Sequence, residues 1–345
     1  MENILSGRLK IGINGLGRIG RNIFRQLLDR SDVDLVFIND PQMTGENLAY
    51  LIQFDSVYGR LGNSVQVNGN NLTLSGKSIN LFRLNDPLQL SGIAKNVDVI
   101  IEASGLRTLG ASLRQLINLK FTKKVICTYS DESNSDISLV LGVNDLKYEK
   151  NKHHYISGTI CDVVSLAPIL AAVNKQTKIV SGNLLTLHPW LSYQNLVDGP
   201  VESVSSPGHV WPDFALGRSS PDNLIPKNTT ALKVLKEVMP ELPYKSFQSM
   251  SFRIPTATVT SSIVNLKVNP PFDIEKLHNE FRKNKNLEVV TENLVSCDFK
   301  GTEFGASIDT RWTELSDNSL RIVSWYDNEY GYSAQIIRLL DYVLA

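Results

Sequence analysis

Leu9-Lys10-Ile11-Gly12-Ile13-Asn14-Gly15-Leu16-Gly17-Arg18-Ile19-Gly20 decides the fold of this chain. Leu9, Ile11 and Ile13 fall on one face at the period of a strand. Three glycines follow at G-x-G-x-x-G spacing, and Ile19, Ile23, Phe24, Leu27 and Leu28 then recur at helical spacing. Asp34 to Ile38 reads as a second buried strand, closed by Asn39 and Asp40. A strand, a glycine turn, a helix and a second strand ending in an acid twenty residues after Gly20 form a βαβ unit of the dinucleotide-binding kind. Gly15 supplies the tight turn, Gly17 close backbone approach to a pyrophosphate, and Gly20 helix–strand contact. Asp40 would accept from ribose hydroxyls and repel a 2′-phosphate, which favours NAD over NADP.

Further buried strands read at 97–103, 124–129 and 138–143, alternating with helical segments, as in a parallel doubly wound sheet. From about Cys161 the pattern changes. A helix at 166–174 leads into longer alternating strands at 179–188, 249–255, 256–268 and 319–326, and the chain closes on an amphipathic helix at 333–344. The expected fold class is therefore α/β: a Rossmann-type parallel-sheet NAD domain plus an α+β catalytic domain with a mixed or antiparallel sheet. The expected division is residues 1–160 and 328–345 for the NAD domain, and 161–327 for catalysis and oligomerisation. Between the strands, 198–226 is rich in Pro, Gly and Ser and reads as a long functional or interfacial loop.

The bulk numbers fit this outline. The 345 residues favour two domains with real cores. Apolar residues make up 42% and charged residues 20%, with zero formal net charge, so no basic excess points to nucleic acid. No apolar run reaches membrane-spanning length, and residues 1–6 lack the pattern of a secretory signal. Three cysteines, an odd and low number, suggest a reducing compartment, with the cytoplasm as default. No metal is expected.

Cys161 is the candidate nucleophile. It follows a small polar stretch and precedes an apolar run, so it reads as the start of a helix, where unpaired N–H groups stabilise a thiolate. A base is needed. Of His153, His154, His188, His209 and His278, His188 ends a strand and would project from a rigid element, whereas His153 and His154 sit in a polar turn. A buried structural cysteine and histidine is the alternative from spacing alone.

Five segments then carry a resemblance. Lys10 to Asn22, Asp55-Ser56-Val57-Tyr58-Gly59-Arg60, Val197-Asp198-Gly199-Pro200, Phe252-Arg253-Ile254-Pro255-Thr256 and Ser324-Trp325-Tyr326-Asp327-Asn328-Glu329-Tyr330-Gly331-Tyr332-Ser333 resemble, in order, the glyceraldehyde-3-phosphate dehydrogenase family. The resemblance implies a thioester mechanism. Cys161 attacks an aldehyde, His188 acts as base, hydride passes to NAD, and phosphate releases the acyl group. It further implies that Arg18 and Ile19 line the pyrophosphate loop with the glycines, that Ser104 and Gly105 follow the strand bordering the adenosine site, and that Thr128 contacts the cofactor. Asn328 would hold the nicotinamide carboxamide, with Tyr332 nearby, and Arg253 would bind the substrate phosphate. A homotetramer is implied.

The chain departs from the family at the nucleophile. The family pattern reads close to S-N-A-S-C-T-T-N-C-L-A-P, and this chain reads SGTICDVVSLAP from Ser157 to Pro168. Ile160 and Asp162 stand where the family has hydroxyls that help hold attacking phosphate. Thr229 still matches a phosphate ligand, but Thr230 replaces the following glycine. A carboxylate 5–6 Å from a phosphate costs about 3 kcal/mol at an effective dielectric of ~20, on the order of a hundredfold in affinity. Asp162 could instead simply face the helix dipole. Leu191 and Tyr193 replace polar residues at the substrate phosphate, with Trp190 and Tyr193 as pocket walls or core packing. The 198–226 loop is longer than the family pattern, and Val201–Trp211 should alter an interface or cofactor pocket.

Three readings follow. The first is NAD-dependent oxidation of a small-molecule aldehyde, glyceraldehyde 3-phosphate or a related one, phosphorylated or not, with doubtful phosphorolysis. The second is a standard phosphorylating enzyme. The third is an NAD-binding homologue without catalysis, against which stand the retained Cys161, His188, Arg253 and Asn328.

Overall fold

A computed structural model describes residues 7–202 and 213–345. The expectation for Val201–Trp211 therefore falls mainly on 203–211, outside the described residues. By internal packing the chain divides into two compact units: 1–137 with 149–158 and 343–345, and 138–148 with 159–342. The helix Tyr330–Leu344 thus packs almost wholly with the second unit, where the sequence pattern had placed it with the first.

The first unit is built on a nine-stranded sheet. Its order is 137–138, 155–157, 122–127, 97–102, 9–14, 33–39, 77–82, 71–74, 65–68. Leu9–Asn14 pairs in parallel with Val33–Asn39 on one side and Val97–Glu102 on the other. Thr122–Cys127 adds in parallel to Val97–Glu102, and an antiparallel meander at 65–82 closes one edge. Ile11, Ile13, Val99, Ile100, Ile101, Val125 and Ile126 are fully buried, so the central strands read as near-continuous apolar runs.

The strand expected at 138–143 is reduced to Ile137–Ser138. Past that point Asn144 gathers the chain into a turn. Its Oδ1 accepts from the Val140 N–H at 2.9 Å, and its Nδ2 donates to the Ser138 carbonyl at 2.8 Å. A side chain that satisfies local backbone groups competes with a sheet ladder.

The second unit carries a seven-stranded mixed sheet ordered 225–227, 247–254, 179–189, 260–268, 319–326, 306–316, 287–290. Ile179–Pro189 pairs in parallel with Phe247–Ile254 and antiparallel with Thr260–Val268. Its main helix, Cys161–Gln176, is buried along most of its length and includes Pro168. Among the described residues no helix is long and apolar enough to cross a membrane.

Candidate active site

In the first unit, the expected nucleotide contacts lie where four parallel strands end. This is the edge at which open α/β sheets bind ligands. Gly15 has φ +86°, and a Cβ there would stand 2.4 Å from the Ser104 Cα. At Gly20 a Cβ would meet the Gly15 carbonyl oxygen at 2.1 Å, so the helix packs directly on the turn. Around Gly17 nothing lies within 4 Å of that position. Gly17 caps the helix Arg18–Leu27, which begins with no side-chain cap and no acidic residue in its first turn. An open backbone surface in front of a helix start fits a pyrophosphate.

The Asp40 carboxylate lies beside this turn and accepts from the Leu16 N–H at 2.8 Å and the Gln42 N–H at 2.9 Å. The Arg18 guanidinium turns away to Asp55 at 2.5 Å, so only its backbone faces the turn. Ile19 is half-buried in the first helical turn. Ser104 and Gly105 follow the third strand, and Thr128 follows the fourth, its N–H donating to the Glu102 carbonyl at 2.9 Å. Glu102 was not anticipated. It is fully buried, and Asn14 and Ser104 hydrogen-bond its carboxyl. Burial raises its pKa to about 7.

In the second unit Cys161 opens the helix Cys161–Gln176, as expected. Ile160, at the cap position, offers no side-chain hydrogen bond. Thr159 has φ +60°, a left-handed conformation costly for a β-branched residue. The Tyr332 hydroxyl holds this turn by donating to the Thr159 carbonyl at 3.0 Å. Tyr332 is buried, so here it braces the turn before Cys161. Asn328 is also buried, and its Oδ1 accepts from the Val259 N–H at 3.1 Å.

His188 Nε2 lies 3.8 Å from Cys161 Sγ, and His188 Nδ1 contacts the Pro189 carbonyl at 2.8 Å. That carbonyl requires a proton on Nδ1, which leaves Nε2 as the acceptor facing the thiol. Arg253 is the register partner of His188 on the neighbouring strand, and it is buried with its Nε unpaired among the described residues. A buried guanidinium with an unpaired donor is suited to an anionic ligand.

Asp162 projects into the same space. Its Oδ1 lies 3.6 Å from Cys161 Sγ and accepts from the Tyr326 hydroxyl at 2.7 Å, and its Oδ2 faces Thr229 Oγ1 at 3.4 Å. Asp162 is therefore both a first-turn helix residue and a wall of the space around the Cys161 thiol. Tyr326 was missed as its partner because 164 residues separate them. The signal was available, since Tyr326 sits inside the most specific of the five segments.

The electrostatics of the pocket run against the expected helix-stabilised thiolate. Burial, and then the Asp162 carboxylate, push the Cys161 thiol well above its ordinary range, with Arg253 opposing. Burial, and then Arg253, depress the His188 imidazolium. Both shifts favour the neutral forms, a thiol and an imidazole.

The remaining expected substrate residues divide. Thr229 reaches Asp162, whereas Thr230 is exposed at the cap of the helix Ala231–Val238. Tyr193 packs on the Val201, Leu216 and Ile225 cluster, and Leu191 is half-buried beside it.

Family models match two stretches. Residues 9–109 match the glyceraldehyde 3-phosphate dehydrogenase NAD binding domain, and 160–328 match its C-terminal domain. Glyceraldehyde-3-phosphate dehydrogenase 1 of Bacillus subtilis is 33% identical over 343 residues, 97% of this chain and 98% of that protein. The Geobacillus stearothermophilus enzyme of that name is 34% identical over 343 residues, again 97% and 98%. The Eremothecium gossypii one is 33% identical over 344 residues, 98% and 99%.

Proposed function

The chain belongs to the glyceraldehyde-3-phosphate dehydrogenase family, and from that premise we propose that it oxidises an aldehyde through a thioester on Cys161 and releases the acyl group to an acceptor other than phosphate. It is an NAD-dependent oxidoreductase. The observation that carries the reading is the triplet of Cys161, His188 and Asp162 around one thiol.

His188 takes the thiol proton, and Sγ adds to the aldehyde carbon. The carbonyl oxygen, facing the N–H groups of the helix start, gains a proton to give a hemithioacetal. His188 next accepts the hydroxyl proton while hydride leaves, and a thioester remains on Cys161. When bound, NAD supplies the hydride acceptor. Gly15, Gly17, Arg18, Ile19 and Gly20 would hold its pyrophosphate, and Asp40 its ribose. Ser104, Gly105 and Thr128 would border the adenosine, with Asn328 and Tyr332 on the nicotinamide side. Arg253, through its unpaired Nε, would anchor an anionic group of the substrate, and Thr229, which reaches Asp162, would stand at the same site.

The release step is where this chain diverges. A carboxylate 3.6 Å from the nucleophilic sulfur repels an incoming phosphate dianion and tolerates water or another neutral acceptor. Attack by water returns the thiol and frees a carboxylic acid. The assembly proposed is a homotetramer, checked by light scattering. The three free thiols fit the reducing cytoplasm as its compartment.

The deciding experiment measures NADH formation from a panel of aldehydes with and without inorganic phosphate. Turnover that does not depend on phosphate is expected. A strict phosphate requirement with glyceraldehyde 3-phosphate would restore the standard phosphorylating reaction.

A further inference from the structure

We propose that Cys161, Asp162 and His188 form a binding site for a thiophilic divalent cation, with Zn2+ the best match, and that occupancy reversibly silences the nucleophile. One sulfur, one carboxylate oxygen and one imidazole nitrogen lie within 4.8 Å of one another. Sγ is 3.6 Å from Asp162 Oδ1 and 3.8 Å from His188 Nε2. Zinc bonds of about 2.3 Å to sulfur and 2.0–2.1 Å to nitrogen or oxygen, arranged tetrahedrally, put ligand atoms roughly 3.3–3.6 Å apart. The two spacings from Sγ therefore stand close to those of the coordination polyhedron before any metal arrives, and the carboxylate and imidazole lie within 4.8 Å of each other.

The surroundings orient these ligands as metal sites require. The Pro189 carbonyl at 2.8 Å from His188 Nδ1 fixes the imidazole with Nε2 toward the sulfur. The Tyr326 hydroxyl holds Asp162 Oδ1 at 2.7 Å. A histidine held by a carbonyl and a carboxylate held by a hydroxyl are both outer-shell partners of the kind that tune metal affinity. Asp162 is the decisive member. Without it the pocket offers a cysteine and a histidine, two ligands only, whereas with it three protein ligands leave a fourth position for a water molecule.

The charge balances. Zn2+ replaces the thiol proton, which leaves as H+, and the dication then faces one thiolate, one carboxylate and one neutral imidazole. The sulfur lone pair that attacks the aldehyde is committed to the metal, and His188 Nε2 loses its role as base. Removing the cation returns both. No redox partner is needed, because zinc does not change oxidation state.

The test uses the full chain with Cys297→Ser, since Cys297 is the exposed thiol and Cys127 is buried. Competition with a chromophoric chelator measures Zn2+ affinity and stoichiometry, and Co2+ substitution reports the ligands by its thiolate charge-transfer band. The expected result is one Zn2+ per chain, with the cobalt thiolate band absent in Cys161→Ser. Asp162→Thr should weaken binding by about tenfold or more, with Asp162→Asn as the near-isosteric check on folding. Stoichiometric Zn2+ should also block alkylation of Cys161 by iodoacetamide until chelator is added. Equal affinity in the parent and both Asp162 variants, or a cobalt complex without the thiolate band, would overturn the site. None of these readouts depends on turnover, so they stand apart from the proposed reaction.

Discussion

The helices Arg18–Leu27 and Cys161–Gln176 both begin without a capping side chain. The first has no acidic residue in its first turn, and the position over Gly17 is open. The second carries Asp162 in its first turn, turned toward the thiol that opens the helix. A helix start attracts anions through its unpaired N–H groups. Where the first turn is bare, an external anion can take that position. Where the chain supplies its own carboxylate, the site is already partly answered, and a second anion meets repulsion. On the proposed reading, the same local architecture would serve a nucleotide phosphate at one place and discourage phosphate at the other.

The largest expected effect tests whether the second region is a working site. Cys161→Ser should reduce NADH formation by about a thousandfold or more, with NAD binding retained. Residual turnover near the parent rate would place the chemistry elsewhere.

Each region also holds a buried carboxyl, and Glu102 sharpens the contrast on the nucleotide side. Its pKa, raised to about 7 by burial, exceeds the ordinary glutamate value, so the folded state holds the proton that the unfolded state releases. Its contribution to stability is fully present below the unfolded pKa and is lost as pH rises through about 7. The loss amounts to about 3 kcal/mol. Denaturant midpoints between pH 5 and pH 8 should show this slope in the parent and not in Glu102→Gln. Parallel slopes would mean that Glu102 ionises freely inside the fold.

Asp162→Thr comes next. Removing the charge should improve the apparent affinity for inorganic phosphate about a hundredfold. It should also speed Cys161 alkylation at neutral pH, because Asp162 raises the thiol pKa and its loss lowers it. If phosphate saturation and alkylation both stay unchanged, Asp162 is not what separates the two helix starts.

The smallest effect probes the first region. Gly17→Ala adds a methyl group into open space, so its thermal midpoint should stay near that of the parent while NAD affinity drops about tenfold, or 1.4 kcal/mol. Gly20→Ala makes the opposite control, since its methyl would meet the Gly15 carbonyl oxygen and cost stability directly. Unaltered NAD affinity in Gly17→Ala would detach the pyrophosphate from this turn.

What the sequence disclosed follows the reach of each interaction. The glycine turn, the acid closing the second strand and the helix start at Cys161 are local patterns, so periodicity and spacing sufficed. His188 was readable as a strand end. Its neighbour Arg253 was not readable from the pattern, because their adjacency is set by the pairing of two strands whose alignment no local signal encodes. The resemblance supplied Arg253 instead. Tyr326 escaped for the same reason: its hydroxyl meets Asp162 only once the sheet has formed. The failed strand at 138–143 shows the reverse, an apolar run overruled by one asparagine side chain. The upward push on the Cys161 thiol was hidden because burial and neighbouring charge are properties of the folded pocket.

The alignment of Ile179–Pro189 with Phe247–Ile254 has one more consequence. Thr186 pairs with Ser251 and His188 with Arg253, and the buried hydroxyls of the first pair bond at 2.8 Å. A slip of one residue would turn Arg253 to the opposite face of the sheet and break that bond. Such an error has no intermediate form, so a molecule holds both base and cation or lacks the pair entirely. A partly misfolded preparation should therefore titrate with fewer active sites, each turning over at the full rate.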